Sequence, residues 1–407
     1  MLILIKIYSF DKFTFNKSRV RKFSSNNNGN NIIVYIAPSN FNSIIDEQMV
    51  PDKFHDLMEL LKLNQMSPKY LLRYYVESTE SLKYLQILRN DSILQVRLKI
   101  TKLFHLCLVH KIIKPISGEK PSNGEKSSGI LADFLDVSLE DTLRQTNPTL
   151  IFSIGVTQDF LTVTNRLGIK VIEVMHGAFY DHEVKREWGN ISKKKPDLVL
   201  TWHDHYTDIL KSNNVNAITL GYPNPQFVNR GSRVADSSRF LVTLGYNEAD
   251  SQDPFGVFDK KLMSQVLELK KSGAEMLYRM HPVVANNPKL YRRVLHWMNK
   301  EFENPEIHSP FEWTVFSSFQ KVNFHVTKSS STYFEASLLS IPTIFTDEIE
   351  SLDLPKQFLD SGIAIQGGSL KFRDLSNFME TEYAIQAQPM NESDFYLAIN
   401  QVTHSDS

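Results

Sequence analysis

"TLIFSIGVTQDFLTVTNRLGIKVIEVMHG" (149–177) decides how this chain is read. "TLIFSIG" is a short apolar run closed by a glycine, the pattern of a buried strand. "QDFLTVTNRL" then carries apolar residues at helical spacing and stops at Gly168. "IKVIEVMHG" is a second apolar run. Strand, helix and strand in so short a span make a βαβ unit, whose strands lie parallel and are covered on both faces.

The rhythm continues outward from there. "PDLVLTW" (196–202) and "AITLGYP" (217–223) read as strands around the helix "HDHYTDILKSNN" (203–214). "NPQFVNRGSRVADSS" (224–238) is polar, lacks periodicity and reads as a linker. The alternation then restarts. "RFLVTLG" (239–245), "EMLYRMHP" (275–282), "VNFHVTKSSS" (322–331) and "IPTIFTDE" (341–348) are strands. Between them lie the helices "DKKLMSQVLELKKSG" (259–273), "PKLYRRVLHWMNKEF" (288–302) and "TYFEASLLS" (332–340).

An α/β protein of two Rossmann-like domains facing across a cleft is expected: residues 32–232, then 233–407 with a C-terminal tail. Residues 1–31 hold a strand, "LILIKIYSF", and the polar break "SSNNNGNN". Residues 46–114 read as mostly helical through "FHDLMELLKL" and "SILQVRLKITKLFHLCLVHKII"; "KPISGEKPSNGEKSSG" (114–129) is a loop.

Composition removes several classes. A length of 407 residues suits two domains of ordinary size. The formal net charge of −1 offers no global basic field, so nucleic acid is not an expected partner. Cys107 is the only cysteine, which excludes an intramolecular disulfide and a cysteine-built zinc site. No apolar run reaches membrane-spanning length. A cytoplasmic protein is expected, with peripheral contact at the inner membrane face through "FTFNKSRVRKF" or "PKLYRRVLHWMNK" as its one route to a bilayer.

Ligands of doubly wound sheets bind beyond the carboxyl ends of the strands, and three such ends carry chemistry. Arg279 and His281 precede Pro282 at one; an imidazole there can donate to a phosphate or protonate a leaving group. Ser329, Ser330, Ser331 and Thr332 lie between a strand and a helix, where hydroxyls and free N–H groups suit an anion, although they also suit plain capping. Glu335 falls in that helix's first turn, positioned for a ribose diol or for the helix dipole. His176 and Gly177 end the third strand, with Asp181, His182 and Glu183 behind them. A satisfied structural histidine would read the same way. His203 and His205 flank Asp204 but sit at an expected helix N-cap, and no second ligand cluster accompanies them, so no metal is expected. No Walker, G-x-G-x-x-G, H-E-x-x-H or G-x-S-x-G pattern occurs.

Two α/β halves, His281-Pro282 at a strand end, and a Ser/Thr turn followed by "EASLLSIPTIF" (335–345) together resemble glycosyltransferases of the GT-B fold. Within it they are similar to the bacterial surface-polysaccharide group of polysialyltransferase-like, Kdo-transferase-like and CDP-glycerol-transferase-like enzymes, which serve capsule and lipopolysaccharide. The resemblance spans about residues 150 to 345. It implies a nucleotide-sugar donor as co-substrate, no other cofactor, no metal, and a glycan or lipid-linked acceptor. His281, with Arg279 and Pro282, would meet the donor phosphate. Ser329 to Thr332 would hold the same phosphate and Glu335 the ribose, while His176, Gly177 and Asp159 would face acceptor and sugar.

The chain departs from the group in having Ser340 where a glycine is frequent, and in lacking the acidic motif of the sialyltransferases. The base stays open among His176, Asp159, Asp181 and Glu183, with His176 favoured by position. Other readings of the same fold are a CDP-glycerol-type polyol-phosphate transferase, a nucleotide-sugar 2-epimerase and a non-catalytic glycan-binding scaffold.

Overall fold

The structure, a computed structural model, describes residues 32–36, 41–45, 48–51, 69–72, 93–94, 139–222 except 142, 238–245, 257–375 except 286–287, 311 and 369, then 378 and 392–403. The strand expected at 2–10, the polar break at 24–31, the helices expected at 54–63 and beyond residue 94, the loop expected at 114–129 and most of the expected linker at 224–238 lie outside the described residues.

Strands β1 (Ile32–Ile36), β2 (Phe41–Ile45), β3 (Gln48–Pro51), β4 (Lys69–Leu72), β5 (Ile93–Leu94), β6 (Leu150–Ser153), β7 (Lys170–Val174), β8 (Leu198–Thr201) and β9 (Ala217–Thr219) come first. All but the β2–β3 hairpin form a seven-stranded sheet in the order β5-β4-β1-β6-β7-β8-β9, parallel throughout. Three stretches of the region read as mostly helical are therefore strands: β3, β4 and β5. "KYLL" and "IL" are too short for period to tell helix from strand, and the pairing of β4 to β1 and of β5 to β4 decides them.

The deciding stretch folds as read. β6 is buried on both faces. Helix α1 (Gln158–Arg166) starts at Thr157, whose side chain accepts from Phe160 N, and buries Phe160, Leu161 and Val163 against the sheet. It stops at Gly168, which takes φ +69, a left-handed turn that glycine adopts without steric cost. Helices α2 (Asp181–Trp188) and α3 (Asp204–Ser212) complete the repeats.

The second sheet comprises β10 (Arg239–Thr243), β11 (Glu275–Arg279), β12 (Glu306–His308), β13 (Phe324–Thr327), β14 (Thr343–Phe345) and β15 (Ala364–Gln366), ordered β12-β11-β10-β13-β14-β15 and parallel. Helices α4 (Lys260–Lys271), α5 (Pro282–Ala285), α6 (Pro288–Phe302), α7 (Val315–Phe319), α8 (Tyr333–Leu338) and α9 (Lys356–Asp360) connect it. After α8, Ser340 stands at φ +58, a left-handed conformation that glycine adopts without steric cost.

Both sheets reverse direction once, at β1/β6 and at β10/β13, and these reversals mark where doubly wound sheets bind ligands. A shared apolar cluster joins the two. Met175, Trp202, Tyr206 and Tyr222 of the first sheet's elements pack on Tyr333, Phe334, Phe345 and Phe358 of the second's. Phe334 alone lies 5.3 Å from the Trp202 ring, 5.7 Å from Tyr222 and 5.6 Å from Phe358. Such ring pairs contribute about 0.5–1.5 kcal/mol each beyond their buried area. The last helix, α10 (Glu392–Thr403), returns to the first sheet, where Phe395 stacks on Phe152 at 6.0 Å. Among the described residues no helix is long and apolar enough to cross a membrane.

Candidate active site

On the second sheet, the site grows from the β10/β13 reversal. Thr327 ends β13, and its Oγ1 accepts from Ser330 N at 3.1 Å, which turns the chain at the serines. Ser330 Oγ and Thr332 Oγ1 share a hydrogen bond at 2.9 Å. Beneath them His325 is fully buried, bonded to Thr243 Oγ1 at 2.9 Å and to Thr343 Oγ1 at 3.0 Å. Burial pushes its pKa down to about 3, so it is a neutral strut tying β10, β13 and β14 together. Thr332 caps α8 in position only: its side chain makes no capping bond and turns to Ser330, Thr243 and His325 instead.

On the first sheet, β7 is followed directly by Met175, His176 and Gly177. His176 is half exposed, and its Nδ1 lies 4.0 Å from Glu173 Oε1. Glu173 is buried within β7, where it accepts from Ser153 Oγ at 2.6 Å and Gly155 N at 2.6 Å. The two sides meet here. A Cβ placed on Gly177 would stand 3.1 Å from Ser331 Oγ, so glycine is what lets the loop approach the serine turn this closely. Three residues on, Tyr180 Oη donates to Ser329 O at 3.0 Å and anchors the same turn. His176, Gly177 and Ser329 to Thr332 thus form one locus across the two sheets.

The remaining candidates are placed differently. Arg279 ends β11 only 5 % exposed, and its guanidinium turns inward. Nη1 donates to Trp313 O at 2.9 Å, Thr314 O at 3.3 Å and Ser318 Oγ at 3.0 Å, so the charge holds a loop rather than facing a ligand. His281 follows β11 directly and, with Pro282, starts α5, its carbonyl accepting from Ala285 N at 3.1 Å. Burial pushes its pKa down to about 4, so near neutral pH it offers a phosphate an N–H and no positive charge. Glu335 is 3 % exposed and accepts from Tyr222 Oη at 3.0 Å, a buried bond between the halves instead of an open ribose contact.

Asp181 lies at the start of α2, paired with Lys185 at 2.6 Å and accepting from Asn213 at 2.9 Å; those two bonds hold its carboxyl below the usual range. Glu183 stands 3.9 Å from Arg186 on that helix, and Asp159 is exposed in the first turn of α1. None of these three carboxylates joins the locus through a contact on the structure. His203 caps α3 by accepting from His205 N at 3.1 Å and bonds Gln357, while His205 Nε2 meets Asp353 O at 2.7 Å. Both histidines therefore clasp the second half. No group of three or more His, Cys, Asp and Glu side chains suited to a metal ion occurs among the described residues.

Sequence reasoning missed Glu173, Tyr180 and Tyr222. Glu173 had a signal: it is the lone carboxylate inside the strand "KVIEV". Tyr180 and Tyr222 had none, because their partners are more than one hundred residues away.

No protein-family model matches the chain, and no curated protein sequence does. Solved structures do match. UDP-GlcNAc 2-epimerase from Neisseria meningitidis bound to UDP-GlcNAc is 14% identical, covering 91% of this chain and 99% of its own, with a TM-score of 0.56. The S. aureus MnaA–UDP structure is 13% identical over 93% and 97%, with a TM-score of 0.55. The Methanocaldococcus jannaschii UDP-GlcNAc 2-epimerase in complex with UDP-GlcNAc and UDP is 12% identical over 90% and 98%, with a TM-score of 0.54. At these identities the likeness establishes the fold: two parallel α/β sheets in the GT-B-like arrangement.

Proposed function

We propose that this protein is an enzyme acting on a nucleotide sugar, with the diphosphate at the serine turn and the sugar between that turn and His176. The observation that carries the reading is the approach of Gly177, the residue next to His176, to Ser331 beyond the other sheet's reversal. Hydroxyls and backbone N–H groups of the turn would hold phosphate oxygens, with the N–H of His281 beside them. His176 would serve as the base. The reaction supported best is 2-epimerisation of a UDP-sugar, because solved UDP-GlcNAc 2-epimerases match this chain over more than nine-tenths of their own length. Fold likeness alone leaves chemistry to the site.

Glycosyl transfer to a glycan or lipid-linked acceptor is the second reading, favoured by His281-Pro282 and the "EASLLSIPTIF" segment. One experiment separates them. The protein is incubated in D₂O with UDP-, CDP- and GDP-sugars, with and without acceptors, and followed by proton NMR. Inversion at C2 breaks the C2–H bond, so an epimerase incorporates deuterium at C2 without an acceptor. A transferase instead releases nucleotide only with one. Absence of both, with no thermal stabilisation by any nucleotide, would refute enzymatic action on these compounds.

A further inference from the structure

Parallel strands covered on both faces are otherwise apolar, and β7 reads Lys170, Val171, Ile172, Glu173, Val174. A carboxylate buried in such a strand costs several kcal/mol unless hydrogen bonds hold its charge. Two short bonds do so here, from Ser153 Oγ and Gly155 N, each at 2.6 Å. Both donors stand at the end of the adjacent strand β6, so the carboxylate is fixed by the sheet itself. The oxygen that accepts from Gly155 is also the one 4.0 Å from His176 Nδ1.

We infer that Glu173 is a positioning residue for His176; this rests on the reading of His176 as the site's base. A carboxylate facing Nδ1 selects the tautomer with its proton on that nitrogen, which leaves the lone pair on Nε2. In the epimerising direction the C2–H proton passes to Nε2. The C–H electron pair becomes the C1–C2 double bond, and the C1–O pair departs on the diphosphate. Glu173 takes no proton; its buried charge stabilises the imidazolium until that proton is lost to water, while C2 takes a solvent proton on its opposite face and the diphosphate oxygen re-forms its bond to C1. The separation of 4.0 Å is an ion-pair distance, and contacts of this kind shorten as a substrate draws a site together.

The test needs no known substrate for its first arm. Protein labelled with ¹⁵N-histidine, its His176 signals assigned through His176→Gln, should show the Nδ1–H tautomer. Glu173→Gln keeps an oxygen towards Nδ1 but removes the charge, so it should lower the pH at which the His176 ring takes its second proton and weaken the Nδ1–H preference. Glutamine fits the site, since its oxygen still accepts from Gly155 N and its amide donates to Ser153 Oγ. In the second arm, Glu173→Gln should lower kcat by about 10²-fold while KM moves little. A wild-type protein already in the Nε2–H form overturns the inference with no variant at all, as does a Glu173→Gln protein whose His176 titration and tautomer are both unchanged, or whose kcat is unchanged. If the wild type turns over no nucleotide sugar, the proposed reaction falls, and the tautomer comparison alone decides the role of Glu173.

Discussion

Replacing Arg279 by methionine separates a loop-holding guanidinium from a phosphate-binding one. Methionine keeps most of the volume and loses every donor. Three acceptors are affected, but unequally. Thr314 O retains Ser317 Oγ at 3.0 Å and Ser318 Oγ at 3.0 Å, and Ser318 Oγ retains His308 Nδ1 at 2.9 Å. The loss therefore concentrates on Trp313 O, bonded to Nη1 at 2.9 Å. An orphaned buried carbonyl costs about 1–3 kcal/mol, and losing charge-assisted bonds adds about as much again. The expected destabilisation is about 2–4 kcal/mol, read from the shift in urea midpoint at unchanged slope. Trp313, stacked on His308 at 4.1 Å with Lys321 over its ring at 4.0 Å, should gain mobility in the same variant. Nucleotide affinity measured by calorimetry should stay within a few-fold of wild type. Unchanged stability together with a collapse in nucleotide affinity would refute the reasoning and return Arg279 to the phosphate.

Two further outcomes follow from burial. His281 and His325 have pKa values pushed down to about 4 and about 3, against 6.5 in the unfolded chain, and burial together with the nearby Lys321 and Arg279 charges lowers that of His308. The unfolded state then binds more protons below pH 6.5, so stability is full above that value and is lost as pH falls through the folded pKa values. For His281 and His325 this amounts to about 3–5 kcal/mol each, and urea midpoints flat from pH 7.5 down to about 4.5 would contradict this burial. Phe334→Ala should cost about 3–5 kcal/mol by opening the cluster between the halves. Hydrogen exchange should quicken in β8, β9 and α8 together, and loss confined to the second sheet would show that the ring does not couple them.

The α/β class and the strand ends were legible because local rules govern them. "TLIFSIG" and "IKVIEVMHG" are apolar runs of strand length, and Thr157 and Gly168 bound α1 as cap and stop. Where local rules are silent the reading slipped. "KYLL" and "IL" in β4 and β5 follow their neighbours rather than any period. The site was legible as a set of strand ends, and His176, Gly177 and the serine turn do lie together. Side-chain direction was not legible. Arg279 and His281 are two positions apart, yet the guanidinium serves the loop at 313–314, because residues alternating along a strand share a face while the chain turns at Pro282.

By itself the sequence determined the longer apolar strands and the helices between them from residue 149 onward, since hydrophobic period and capping act within a few residues. Only the tertiary structure decided which polar groups are already satisfied. It gave Glu335 to Tyr222, Asp181 to Lys185 and Asn213, and the histidines of "HDH" to helix capping and Asp353. It also set Glu173 beneath His176. A buried donor or acceptor must find a partner wherever the fold supplies one, and for most of these residues the partner stands far along the chain.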